Sequence, residues 1–347
     1  MTLSNLLGIS LPILQAPMAG VQGSALAIAV SNAGGLGALP CAMLAPDALR
    51  KELSTLRAQT DRPFNVNFFC HTPPQPDPAR DAAWRERLAP YFAELGADPA
   101  TIPTGPGRLP FNAEAAELLA EFRPRVVSFH FGLPAPELLE RVRSWGAKVL
   151  SSATTVEEAL WLEARGVDAV IAQGAEAGGH RGMFLSQDLH TQIGTLALVR
   201  QVVDAVKVPV IAAGGIADAQ SVAAAFAMGA AGVQVGTSYL LCPEATTTAL
   251  HRAALQSEAV RTTAFTNVFT GRPARGIVNR IVRELGPISE AAPAFPQAAP
   301  AMGVLRAKAE SLGRSDFSPL WAGQNASGCK AIPAAELTRE LARGCPR

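Results

Sequence analysis

Short runs of apolar residues, rich in Val, Ile, Leu and Ala, recur along the chain, and longer stretches with apolar positions every three or four residues separate them. The short runs predict strands at Pro12–Ala16, Leu36–Leu39, Phe64–Phe68, Arg125–Phe129, Lys148–Ser151, Ala169–Ala172, Val208–Ala212 and Gly232–Val235. The longer stretches predict helices at Ser24–Asn32, Asp47–Gln59, Glu114–Glu121, Ala135–Ser144, Val156–Ala164, Thr195–Val206 and Asp218–Met228. Several open on a capping residue, such as Thr155 before Glu157–Glu158. Eight strands alternating with helices point to an α/β fold of the (β/α)8 barrel type, because right-handed crossovers close such a series on itself. A doubly wound sheet is the alternative, and it requires a reversal of strand order.

Two segments break the repeat. Residues His71–Phe111 hold nine prolines, Pro73, Pro74, Pro76, Pro78, Pro90, Pro99, Pro103, Pro106 and Pro110, around one helix-like run from Arg80 to Leu95. That is too long for a barrel loop and reads as an insertion over one mouth. After the eighth strand a tail, Ser238–Arg347, carries helical stretches near Glu244–Ser257, Ala301–Leu312 and Ala334–Arg343. The expected division is therefore a barrel of residues 1–71 and 112–240 and a mostly helical lid of residues 72–111 and 241–347.

Composition narrows the function. In 347 residues, 30 Lys and Arg balance 29 Asp and Glu, which argues against nucleic acid or an anionic membrane surface as partner. The chain is 48% hydrophobic and 17% charged, as expected for strands buried on both faces. Five cysteines, widely spaced and without a Cys-x-x-Cys pair, encode neither a disulfide framework nor a zinc site. The first twenty residues lack a basic segment followed by an apolar core, and no stretch offers about 18 uninterrupted apolar residues. The expectation is a cytoplasmic enzyme. No Gly-x-Ser-x-Gly, Walker A sequence or Gly-x-Gly-x-x-Gly after the first strand supports a hydrolase, P-loop or Rossmann reading.

The densest chemistry follows the sixth strand, in Gln173-Gly174-Ala175-Glu176-Ala177-Gly178-Gly179-His180-Arg181-Gly182. Barrel active sites are built from loops at strand C-terminal ends. Glycines leave backbone N–H groups uncovered for a ring edge or phosphate, and His180 among them suits proton abstraction. Ala212–Asp218 and Gly232–Ser238, after strands seven and eight, are placed for phosphate binding. Pro17-Met18-Ala19-Gly20 offers apolar atoms and backbone to a flat ring, and the amide of Asn67 can both donate and accept. His130, flanked by Phe129 and Phe131, reads as a packed core histidine. His71, His190 and His251 have no partner pattern, and no spacing suggests a metal site.

Together these pieces resemble the nitronate monooxygenase family, class I. The matching segments are Pro17–Gly20 with Ala29–Gly37, Ser128–Pro134, Gln173–Gly182, Ala212–Asp218, Gln234–Thr237 and Trp321–Gln324. The resemblance implies non-covalent FMN contacted by Met18, Asn67, Gln173, Gly178, Gly215, Gln234, Gly236 and Thr237, with His180 as catalytic histidine. It implies oxidation of alkyl nitronates of the propionate 3-nitronate type by O2 to a carbonyl compound and nitrite. The partners would be the small nitronate and O2, not nucleic acid or membrane, with monomer and homodimer both open. For a carboxylated substrate the cationic candidates are Arg181, Arg272 and Arg275. The chain departs from the family in its tyrosines, having only Tyr91 and Tyr239, with Phe295-Pro296-Gln297 where Tyr-Pro-Gln is expected. Rival readings are an FMN-dependent enoyl-acyl-carrier-protein reductase, which shares the Glu-Ala-Gly-Gly-His loop, an NADH:quinone reductase, and a non-catalytic FMN-binding protein.

Overall fold

Eight short parallel strands form one sheet: β1 (Ile13–Gln15), β2 (Gly37–Pro40), β3 (Phe64–Phe69), β4 (Val126–His130), β5 (Lys148–Ala153), β6 (Ala169–Gln173), β8 (Val210–Ala213) and β9 (Gly232–Val235), β7 (Gly179–His180) lying outside it. They stand side by side in the order β1-β9-β8-β6-β5-β4-β3-β2. A parallel bridge between Leu14 and Leu36, just before β2, joins the two ends, so the sheet is a (β/α)8 barrel as the alternation predicts. The computed structural model describes residues 2–105 and 107–346. Met1, Pro106 and Arg347, which the expected barrel, insertion and tail include, lie outside the described residues.

The period of two along each strand sorts side chains into two layers. Val127, Phe129, Val170, Ala172, Val210 and Ala212 face outward into the core shared with the surrounding helices, together with Leu26, Val30, Leu53 and Leu119. Val126, Leu150, Ala169, Ile171, Ile211 and Ala213 face inward, and Leu3, Leu7 and Ile9 of the N-terminal segment plug the bottom of the barrel against them. Further along the same inward rows the residues become polar: Asn67, Ser128, His130, Ser152, Gln173 and Gln234 line the open top. The barrel is a packed plug below and a polar cup above.

The insertion and most of the tail share a second core over that cup. Helix Pro78–Leu95 of the insertion contributes Trp84, Leu88, Phe92 and Leu95, and the tail contributes Ile281, Val282, Met302, Leu305 and Phe317. Helix Ala299–Ser311 packs on Pro78–Leu95. The tail is not wholly helical: β10 (Thr263–Thr266) and β11 (Ala274–Ile277) pair antiparallel, and β11 also pairs with β7. The last helix, Ala334–Ala342, expected in the lid, instead packs on barrel helices Ser24–Asn32 and Ala219–Ala227. Its Ala334, Leu337 and Leu341 belong to the barrel's outer core. The physical reason is that the polypeptide leaves β9 directly for the lid, which leaves the face beside β1 and β9 without a helix until this segment returns to cover it.

Candidate active site

One cavity occupies the top of the barrel beneath the lid. Its wall includes Met18, Asn67, Gln173, Gly178, His180, Gly215, Gln234, Gly236 and Thr237, every residue singled out above as catalytic or cofactor-binding. Asn67, Gln173 and Gln234 arrive by strand alternation, and the glycines by the loops that leave β6, β8 and β9.

The histidine loop is held from both sides. Gln173 Nε2 donates to His180 O at 3.0 Å, and Gln173 Oε1 accepts from Gly182 N–H at 2.7 Å. The Gln173 amide is thus already bonded to the loop on its own protein side. His180 is paired with Ala274 of the lid strand β11, and Arg181 N–H donates to Pro273 O at 2.9 Å. Gly179 sits at φ +74°, a left-handed conformation that costs a side-chain-bearing residue about 1–2 kcal/mol. Gly178 passes so close to the tail that a Cβ there would lie 2.6 Å from Ala322 C and Gly323 N.

His180 Nε2 lies 2.9 Å from Thr270 Oγ1, while Nδ1 has no partner among the described residues. Phe69, Phe131, Phe295 and Trp321 surround the ring at centroid distances of 5.5–6.3 Å. Burial in this cage holds the His180 pKa well below the usual imidazole value, and the charges of Arg108 and Arg272 push the same way. The ring is therefore neutral at neutral pH, able to accept a proton. His130 sits beneath it with Nε2 3.2 Å from His180 O and Nδ1 3.0 Å from Ser152 Oγ. Burial first, then Arg272, lowers its pKa to about 3, so the packed, hydrogen-bonded reading of His130 fits although it also touches the cavity.

Opposite β3, the loops after β8 and β9 present backbone donors. The N–H groups of Gly215, Gly236 and Thr237 find no acceptor among the described residues. A strap from the tail crosses them: Gly323 N–H donates to Thr237 Oγ1 at 2.9 Å and Asn325 Nδ2 to Gly215 O at 2.9 Å. Asn67 Nδ2 donates to Ser128 Oγ at 2.9 Å, leaving its carbonyl oxygen free, and the Gln234 amide has no partner among the described residues.

None of the three arginines expected to meet a substrate carboxylate lines this cavity. Arg181 is 0% exposed and donates to Gly174 O, Gln173 O and Gln192 Oε1 at 2.6–2.9 Å. Arg275 donates to Ala175 O and Thr263 Oγ1, and Arg272 donates to Met183 O and stacks over Phe131 at 3.9 Å. The cation that does line it is Arg108, in the insertion. Arg108 and Thr270 are the residues the sequence reading missed. Neither lies in a periodic element, so no pattern pointed to them. Among the described residues no group of three His, Cys, Asp or Glu side chains can hold a metal, and no helix is long and apolar enough to cross a membrane.

The sequence of residues 1–344 matches the family model described as nitronate monooxygenase. A nitronate monooxygenase of Pseudomonas aeruginosa is 45% identical over 97% of each chain. The solved structure of a nitroalkane oxidase from Streptomyces ansochromogenes superimposes with a TM-score of 0.87 at 41% identity, covering 98% of this chain and 96% of that one. FabK from Thermotoga maritima superimposes with a TM-score of 0.73 at 30% identity, covering 98% and 94%.

Proposed function

The chain belongs to the nitronate monooxygenase family and is an oxidoreductase, and on that premise we propose that it binds FMN and oxidises alkyl nitronates of the propionate 3-nitronate type with O2 to a carbonyl compound and nitrite. The observation that carries this reading is a neutral His180 with a free Nδ1, facing a cup whose unpaired polar groups suit a flavin.

The residues fit FMN. Gly215, Gly236 and Thr237 offer unpaired N–H groups to a phosphate, and a cradle of amides needs no basic side chain. The free oxygen of Asn67 and the free amide of Gln234 match a ring edge with both donors and acceptors, and Met18 supplies an apolar contact. When bound, FMN supplies the electron-transfer and O2 chemistry.

The chain's own groups do the rest. His180 accepts the α-proton of a neutral nitroalkane at Nδ1, and Thr270 Oγ1 at Nε2 fixes the plane of the ring. His130 and Gln173 hold the His180 carbonyl so that the ring does not drift with its loop. The aromatic side chains around the imidazole exclude water and keep it uncharged between turnovers. A preformed nitronate needs no proton removed and is only oriented.

The test is the visible spectrum of the purified protein, followed by O2 uptake with propionate 3-nitronate and by anaerobic addition of NAD(P)H. We expect a flavin spectrum, O2 uptake with the nitronate, and no bleaching by NAD(P)H. Bleaching without nitronate oxidation would replace the reading with an enoyl or quinone reductase, and a protein that cannot be loaded with FMN would refute all three.

A further inference from the structure

Arg108 is the only Lys, Arg, Asp or Glu side chain among the described residues that line the cavity. It stands on the return loop of the insertion, and its main chain is fastened to the barrel mouth: His71 Nε2 lies 3.0 Å from Arg108 O, two residues beyond the end of β3. The His71 ring in turn packs edge-on against Phe295 at 4.8 Å. The backbone at 108 is therefore placed, not loose.

Its guanidinium donates to no acceptor and pairs with no carboxylate among the described residues, and the Phe295 ring lies 5.9 Å away, at the limit of a cation–π interaction. A half-buried guanidinium left so poorly paired is unusual, because desolvated charge is normally matched by hydrogen bonds or an opposite charge. The side chain stands near His180, for Phe295 lies against both, its centroid 5.5 Å from that of the His180 ring. Its loop joins the mouth beside β3, diametrically opposite β8, the strand whose following loop carries the Gly215 N–H proposed for the phosphate. Beside Arg108 and His180 lies the buried cluster of Phe69, Phe131 and Phe295, of which Phe69 lines the cavity, and none of the three has a polar atom to offer a substrate.

We propose that Arg108 is a specificity-determining residue that grips a carboxylate at the far end of the substrate while the reacting carbon lies at His180. The planar fork of a guanidinium matches a carboxylate through two parallel hydrogen bonds, which a lysine cannot reproduce. With phenylalanine at 295, the ring beside the guanidinium carries no hydroxyl to compete for the anion, so recognition falls to the charge. The inference rests on the nitronate reading above and names the part of the substrate that this chain selects.

The experiment compares propionate 3-nitronate with butyl nitronate, which has an uncharged tail, on wild type, Arg108→Met and Arg108→Lys by O2 uptake. For Arg108→Met we expect KM for propionate 3-nitronate to rise between about ten- and hundredfold with kcat little changed, the size expected for losing a charge-assisted pair. The ratio of kcat/KM for the two nitronates should fall at least tenfold, and Arg108→Lys should recover part of it. A parallel loss on both nitronates, an unchanged ratio, or reduced flavin content in Arg108→Met would overturn the assignment. Anaerobic calorimetry with succinate separates this from the functional reading. If wild type oxidises neither nitronate, the proposed activity fails, while succinate binding weakened by Arg108→Met still sustains the anion site and equal binding removes it.

Discussion

Replacing His180 by asparagine separates two roles that a single active-site histidine can have. Asparagine keeps a polar atom near the position of Nδ1 but cannot take a proton at neutral pH. The bonds that place the loop go to the main chain: Gln173 Nε2 and His130 Nε2 at His180 O, and the pairing with Ala274, all of which survive the substitution. What is lost locally is the hydrogen bond to Thr270 and ring packing against Phe295 and Trp321, both at 5.5 Å. Together these cost about 1–3 kcal/mol of stability. General-base catalysis is worth roughly 10²–10⁴ in rate, or about 3–5 kcal/mol at 1.36 kcal/mol per factor of ten. With a neutral nitroalkane, kcat/KM should therefore fall by roughly 10²–10⁴, and with a preformed nitronate by less than about tenfold. The assay is O2 uptake on both substrates for wild type, His180→Asn and His180→Gln, the last keeping a group within reach of Thr270. Equal losses on the two substrates would mean that His180 only orients, and no loss on the nitroalkane would remove it from the chemistry. Because the ring is neutral well below the usual imidazole range, wild-type kcat/KM with a nitroalkane should also not fall between pH 8 and about pH 6.5.

Three further outcomes follow from the same geometry. Gly178→Ala places a Cβ against the main chain of Ala322 and Gly323, which has no rotamer to yield, so the urea midpoint should drop by the equivalent of about 1–3 kcal/mol and proteolysis of the strap at 321–330 should quicken; an unaltered midpoint contradicts the close approach. Arg181→Met strands Gly174 O, Gln173 O and Gln192 Oε1 in a fully buried site and should cost about 3 kcal/mol in denaturant unfolding, a loss below about 1 kcal/mol being incompatible with those bonds. Burial holds His130 at about 3, His251 at about 4 and His180 well below its ordinary value, so between those values and about 6.5 the unfolded chain binds more protons than the folded one. The thermal midpoint should thus be level above about pH 7.5 and fall steadily as the pH drops below about 6.5, and a midpoint that rises on acidification would refute the neutral assignments.

The barrel was readable because burial on both faces writes itself as short apolar runs, and because period-two alternation says which residues share a face. Asn67 could be picked out as a polar residue at a strand end, and Gln173 and Gln234 through the family resemblance, and the three do meet at the cavity. The arginines beside His180 misled for the same geometric reason. Neighbouring residues on extended chain point opposite ways, so Arg181, adjacent to His180 in sequence, turns from the cavity into the protein and ends fully buried. Arg108 was hidden among prolines, where no periodicity operates, and its place depends on a hydrogen bond from His71 across 37 residues of chain. Thr270 likewise reaches His180 across 90 residues, a proximity created only when β11 pairs with β7. The final helix shows the limit of amphipathic patterns: its apolar face is plain in Ala334, Leu337 and Leu341, but nothing in the pattern says whether barrel or lid will cover it.

The position of that helix changes how the two parts of the molecule relate. Because the chain leaves the barrel after β9 and returns to it at Ala334–Ala342, the lid is tethered at both ends of the tail as well as through the insertion. The strap on the way back bonds to the loops after β8 and β9, through Gly323 to Thr237 and Asn325 to Gly215, and Gln324 N–H reaches Glu176 O in the histidine loop. The same loop is bonded below to Gln173 of the barrel and above to β11 of the lid. The cage around His180 is built likewise, with Phe69 and Phe131 from the barrel and Phe295 and Trp321 from the tail. Neither part alone surrounds the imidazole, so the burial that keeps it neutral arises from seating one on the other. A substitution at the seam, such as Gly178→Ala, should therefore raise the proton affinity of His180 as well as lower stability, and an unchanged imidazole titration in that variant would contradict the link.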